Sequence, residues 1–179
     1  MNFQAQTKKE LLQQFDILTD QYRQVISETA VDRMNLRPQG KWSIYQNIDH
    51  IIKSNKITAI GYKTPKTLLA IFFGKPKRPS NITEEVIRQY QAHLAQGAKS
   101  KKIFEAGNKP LKDPDALLSA YNEHLESFKA SLLNWSEKDL DNYQIQHPIL
   151  GRITARDMLS FTVYHQFHHL NAIYRILDT

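Results

Sequence analysis

The chain contains no cysteine. That absence excludes disulfides, zinc–thiolate sites and a cysteine nucleophile, so any metal must be held by nitrogen and oxygen ligands. Long apolar runs are missing too. The longest, Leu-Leu-Ala-Ile-Phe-Phe at residues 68–73, falls far short of the roughly 20 residues that cross a bilayer, and no membrane partner is expected. The first residues, Met1-Asn2-Phe3-Gln4-Ala5-Gln6, lack the basic start and apolar stretch of a secretory signal, so a cytoplasmic location is the default expectation. Glycine is scarce, at six residues. Sustained two-residue alternation, internal repeats and low-complexity runs are absent. Acidic residues are in deficit, leaving a net charge of +6. The basic residues are scattered, as Lys8-Lys9 and in residues 75–78 and 99–102, within or beside expected loops. No nucleic-acid motif surrounds them, so they read as solvated surface and no nucleic-acid partner is expected.

What is present is helical periodicity. At 179 residues the chain reads as one domain, 1–179, large enough to bury a substantial core. Leu11, Phe15, Leu18, Tyr22, Val25 and Ile26 recur three and four apart, which predicts an amphipathic helix over residues 7–29. Arg37-Pro38-Gln39-Gly40 breaks the pattern. A second helix begins at Ser43, an N-cap with Gln46 as its capping-box partner. Its buried side carries Ile44, Ile48, Ile51, Ile52 and Asn55, with His50 at the border beside Ser43, Asn47 and Ser54. The proline-punctuated middle reads as a long crossover carrying one or two short helices, one starting at Thr83-Glu84-Glu85 and ending near Gly97. Asp113 and Pro114 cap and open a third long helix that ends near Asn134-Trp135. Residues 141–150, with His147-Pro148, read as extended or looped. A last helix occupies residues 151–179, with Thr154 as N-cap and Asp157 as an acidic capping-box partner.

The chemistry concentrates on that last helix. His165 and His169 are four apart and so lie one turn apart on one face. At about 100° per residue, Met158, Phe161, Thr162, His165, His169, Ala172 and Ile176 fall within about 60° of a common direction, so both imidazoles sit at the centre of an apolar stripe. Buried imidazoles need hydrogen bonds or a metal, and His50 from the second helix would complete a facial set of three. His168 competes with His169 as the partner of His165, but points about 100° away, toward the flank. His93 and His124 fall on polar helix faces and read as solvated. His147 either caps a turn or lines the site entrance, and Trp42 reads as a packing residue at the start of the second helix. The other side of the last helix is also apolar, through Leu159, Val163, Phe167, Leu170, Tyr174 and Leu177. A helix apolar on two sides is either central or packed on a partner, which motivates the expectation of a homodimer through the last helix.

Trp42-Ser43 followed by His50, then His147-Pro148-Ile149-Leu150-Gly151-Arg152-Ile153-Thr154, then His165-Gln166-Phe167-His168-His169 resembles the DinB-like superfamily, including the YfiT-type metal-dependent hydrolases. The resemblance spans nearly the whole chain. It implies an all-α four-helix bundle of up-down-down-up order, often dimeric, with His50, His165 and His169 binding a divalent metal, commonly zinc or nickel. It also implies activities in which low-molecular-weight thiols such as bacillithiol or mycothiol take part. One position departs: many relatives carry glutamine where this chain has Ala172.

Three imidazoles leave coordination positions open, the pattern of a catalytic metal. The expected function is therefore a metal-dependent enzyme acting on a small-molecule substrate, with the metal activating a thiol cofactor (S-transferase) or water (hydrolase). Asn47 and His168 are candidates to support the metal-binding residues. No carboxylate is placed as a general base: Asp49 is on the wrong face and Asp157 is near the helix start. The alternative is a non-catalytic dimeric helical module for stress response, with a structural metal or none. A fourth protein ligand, His147 or His168, would favour it.

Overall fold

In a computed structural model, residues 6–98 and 102–178 are described, Gln39 by its backbone alone. Residues 1–5 and 99–101, which carry part of the amino-terminal reading and of one basic cluster, lie outside them. The first predicted helix is α1 (Lys8–Glu28). Thr7 accepts the Glu10 N–H, and the Glu10 carboxylate accepts the Thr7 N–H in return, so two orphan helix-end donors are satisfied. All six residues of its apolar stripe are buried. After α2 (Val31–Asn35) and a 3₁₀ turn at Pro38–Gly40, α3 (Ile44–Lys63) starts on the predicted Ser43–Gln46 capping box. The crossover carries α4 (Lys66–Phe73), α5 (Thr83–Ala95) and a 3₁₀ turn at Lys102–Phe104. Then α6 (Pro114–Ser131), capped by the Asp113 side chain, and α7 (Glu137–Asn142) lead into β1 (Gln144–His147) and β2 (Gly151–Thr154), and α8 (Ala155–Leu177) closes the described chain.

Cross-helix contacts fix the directions of the four long helices. Phe15 stacks on Phe128 and Tyr22 meets Tyr121, so α1 and α6 run antiparallel. Asn55 reaches His124 and Lys63 reaches Ser127, so α3 and α6 run parallel, a pairing that requires the long crossover between them. Asn47 meets His169 while Tyr62 bonds the Ala155 carbonyl, so α3 and α8 are antiparallel. Arg156 bonds the Gln6 carbonyl and Tyr22 that of Gln166, so α1 and α8 are parallel. This is the up-down-down-up four-helix bundle. No described helix is long and apolar enough to cross a membrane.

Three local expectations need correction. Residues 151–153 are not helical: they pair with residues 145–147 in an antiparallel hairpin, with register His147↔Gly151, and Gly151 at φ +75° supplies the left-handed turn residue that other side chains rarely adopt. The hairpin packs close to α3, where Gly61 leaves room for Ile145; a Cβ there would sit 2.9 Å from the Ile145 Cγ2. The acidic capping box at α8 is half made. Thr154 accepts the Asp157 N–H, but the buried Asp157 carboxylate turns instead to the Asn81 N–H and Arg78. The ground for a homodimer narrows: Leu159, Val163 and Leu170, on the second apolar side of α8, are at most 1% exposed within the single chain, because α8 packs on both α1 and α3, which leaves the half-buried Phe167 and Leu177 and the exposed Tyr174 on that side.

Candidate metal centre

The antiparallel packing of α3 on α8 brings His50, His165 and His169 into one buried cluster, although His50 and His165 are 115 residues apart in sequence. Their ring centroids form a near-equilateral triangle, 4.6–4.9 Å on a side. The Nε2 atom of His165 lies 3.1 Å from that of His50 and 3.1 Å from that of His169.

The other ring nitrogens fix which lone pairs face inward. His50 Nδ1 bonds the Phe104 carbonyl, which can only accept, so this nitrogen carries the proton. His169 Nδ1 bonds Asn47 Oδ1 at 2.8 Å, and Asn47 is oriented by its own NH₂ donating to the Ser43 carbonyl at 2.8 Å. Both rings therefore present an unprotonated Nε2 to the centre. A single His165 N–H could bridge these acceptors only in part, whereas a cation would satisfy all three. Nitrogens about 2.0–2.1 Å from one ion stand roughly 2.9 Å apart at octahedral angles and about 3.3 Å at tetrahedral ones, so a 3.1 Å separation fits a first-row divalent metal. Burial, and after it the neighbouring imidazoles, holds His165 and His169 well below the ordinary imidazole range. Burial also lowers His50, against the bond to Phe104. Neutral imidazole is the form that a metal needs.

The remaining candidates separate cleanly. Asn47 supports His169, as its face predicted. His168 is half-buried and touches the edge of the His169 ring without joining the cluster. His147 does both things weighed for it: its Nδ1 accepts the Ile149 and Leu150 N–H groups at 3.1 and 2.9 Å, and its ring lines a cavity with His165. Neither His147 nor His168 supplies a fourth member of the group among the described residues. His93 is exposed as expected. His124 is not: it is 1% exposed, packed on Tyr121 and within reach of Asn55, because the side of α6 that read as polar faces α3. Asp49 pairs with Lys53 and the Gly107 N–H, away from the cluster. Trp42 packs on the histidines themselves, 4.9 Å from the His50 ring and stacked on His169. Sequence reasoning missed Phe104, whose backbone carbonyl orients His50 from the 3₁₀ turn at Lys102–Phe104, and Tyr90 on α5, which stands beside His165.

A search of curated proteins finds no match. Solved structures resemble this chain at low identity and so speak to its fold. YfiT from Bacillus subtilis, described as a probable metal-dependent hydrolase with an unusual four-helix bundle topology, is 17% identical at a TM-score of 0.61, covering 96% of this chain and 88% of its own. A DinB-like protein from Bacillus cereus ATCC 10987 is 14% identical at a TM-score of 0.61, covering 97% and 92%. The colibactin self-resistance protein ClbS, solved in complex with a dsDNA, is 12% identical at a TM-score of 0.59, covering 98% of each chain. That complex overturns the exclusion of a nucleic-acid partner. The exclusion rested on missing sequence motifs, and a protein of this fold is seen holding a DNA duplex. The sequence profile of the DinB superfamily matches residues 14–173, through all four long helices and the histidine cluster, and the chain belongs to that superfamily.

Proposed function

We propose that the protein is a metal-dependent enzyme whose His50, His165 and His169 hold one divalent ion, zinc or nickel, and that it transfers a low-molecular-weight thiol to an electrophile. The observation that carries this reading is the convergence of three Nε2 atoms beside a cavity whose wall includes His50 and His165, with no carboxylate in the cluster. When bound, such an ion supplies Lewis acidity that lowers the pKa of a thiol or a water. Hydrolysis would call on a general base to take a proton from water, and no carboxylate belongs to the cluster among the described residues; a thiol needs no such base. The residues themselves position and exclude. Asn47 and the Phe104 carbonyl hold His169 and His50 in the required tautomers, and Trp42 covers their rings from solvent.

Consumption of monochlorobimane in the presence of bacillithiol or glutathione, by fully metallated protein, tests the activity. Thiol-dependent turnover lost in His165→Ala is the expected result. No turnover with a panel of thiols, alongside hydrolysis of esters or amides, would transfer the proposal to the hydrolase. A smaller effect is expected at Asn47. Asn47→Ala removes the acceptor that orients His169 and should weaken metal affinity by about 10- to 100-fold, whereas Asn47→Asp keeps an acceptor and should retain it; competition against a chromophoric chelator measures both.

A further inference from the structure

The histidine cluster stands between two chambers of opposite character. On one side is a cavity of about 370 Å³, within the range of small-molecule sites. Ile57, Leu69, Phe73, Ile145, Met158 and Phe161 are among its walls, with His50 and His165 at one end. Its rim includes Ile60 and Phe72, each 64% exposed although large and apolar. Inside this apolar lining is Ser54, one turn from His50, whose buried Oγ has no hydrogen-bond partner. On the other side lies a cavity of about 500 Å³ bordered by His50, His168 and His169. Its outer wall carries Arg37 and Lys41 against a single carboxylate, Glu105. Arg37 gives one donor to Asn108 and makes no ion pair among the described residues, and neither does Lys41. His50, Tyr90 and Leu94 border both chambers.

We infer that the two chambers take the two ends of one ligand: an amphiphilic carboxylate whose anionic end lies against Arg37 and Lys41 and whose hydrocarbon or aryl portion fills the apolar chamber. The segment joining the two ends then passes beside His50, Tyr90 and Leu94, which border both chambers. An apolar wall rewards burial of a hydrocarbon in proportion to its area, while two cations without acidic partners select the sign of the head. The free Ser54 Oγ gives the apolar end one hydrogen-bonding point near the cluster. This assignment deepens the enzymatic reading above, and rests on it for the claim that bonds near the histidines are the ones that react.

Calorimetric titration of metal-free protein, below micellar concentrations, tests the pairing with three probes: decanoate, decyltrimethylammonium and succinate. Decanoate should bind at least about tenfold tighter than either other probe, as expected of one charge-assisted contact added to apolar burial. The double variant Arg37→Gln/Lys41→Gln, at two exposed positions, should lose that advantage over decyltrimethylammonium while keeping wild-type helicity. Thr58→Trp, which fills the apolar chamber, should reduce decanoate to the level of succinate. Equal affinity for the two decyl probes, or wild-type decanoate affinity in either variant, would overturn the inference. The metal reading fails separately: one zinc per chain without decanoate preference sinks the two-chamber ligand alone, and decanoate preference without zinc binding sinks the metal reading alone.

Discussion

A His165→Ala variant is expected to lose the thermal stabilisation that zinc or nickel gives the wild-type chain. His165 is the vertex of the cluster, with its Nε2 3.1 Å from both of the others, so its removal leaves a two-nitrogen site. A metal bound only by the folded state stabilises by about 4 kcal/mol at a thousandfold excess over its dissociation constant. For a chain of this size that amounts to roughly 8–16 °C in Tm. Without metal the variant also loses the packing of a buried ring and leaves the His50 and His169 acceptors without that donor, a cost that the chelator arm measures separately from the metal-dependent shift. His168→Ala is the matched control: its ring touches His169 but lies outside the cluster, so the metal-dependent shift should persist. Scanning calorimetry of the three proteins, with metal and with chelator, makes the comparison. An undiminished shift in His165→Ala would mean that metal binds elsewhere.

Acid lability is the second large effect. Burial pushes the His124 imidazole from its ordinary 6.5 down to about 4, and burial likewise pushes His147 down to about 3. Below pH 6.5 the unfolded chain takes up protons at these positions while the folded chain does not, so stability is fully present above that pH. It is lost progressively as pH falls through the window down to about 4 for His124 and about 3 for His147. Each such histidine contributes a slope of about 1.4 kcal/mol per pH unit, or about 2 kcal/mol between pH 6.5 and 5. The histidine cluster, when metal-free, adds to the same slope. Urea unfolding of metal-free protein from pH 7 to 5 should therefore show stability falling by at least about 4 kcal/mol. His124→Gln should lower that loss by about 2 kcal/mol. A flat profile would mean that these imidazoles are solvated when folded.

The helices were legible because their signals are local. Ser43 with Gln46, and Asp113 with Pro114, each announce a helix start within four residues, and the structure places α3 and α6 on those starts, while the three-and-four spacing from Leu11 to Ile26 marks α1. The convergence of His165 with His169 was legible for the same reason, since helical period alone puts them on one face. His50 needed a partner helix, which its position beside Asn47 and Ser54 suggested. What could not be read depends on distant packing. His124 looked solvated because its helix face carries polar neighbours, yet α3 covers that face and Asn55 supplies a partner. The hairpin at β1 and β2 is too short to show alternation. The second apolar side of α8 was equally compatible with a partner subunit and with the bundle, and only the closed bundle shows that Leu159, Val163 and Leu170 are buried within the chain. Phe104 acts through its backbone carbonyl, which no side-chain pattern can announce.

The measurement that tests the central claim most directly is elemental analysis of untagged protein purified without chelator, repeated after incubation with zinc and with nickel. The account predicts about one divalent ion per chain in the wild type and close to none in a His165→Ala variant that keeps its helical content. A wild-type chain that binds neither metal after incubation would contradict it, and would make the three histidines a hydrogen-bonded part of the core.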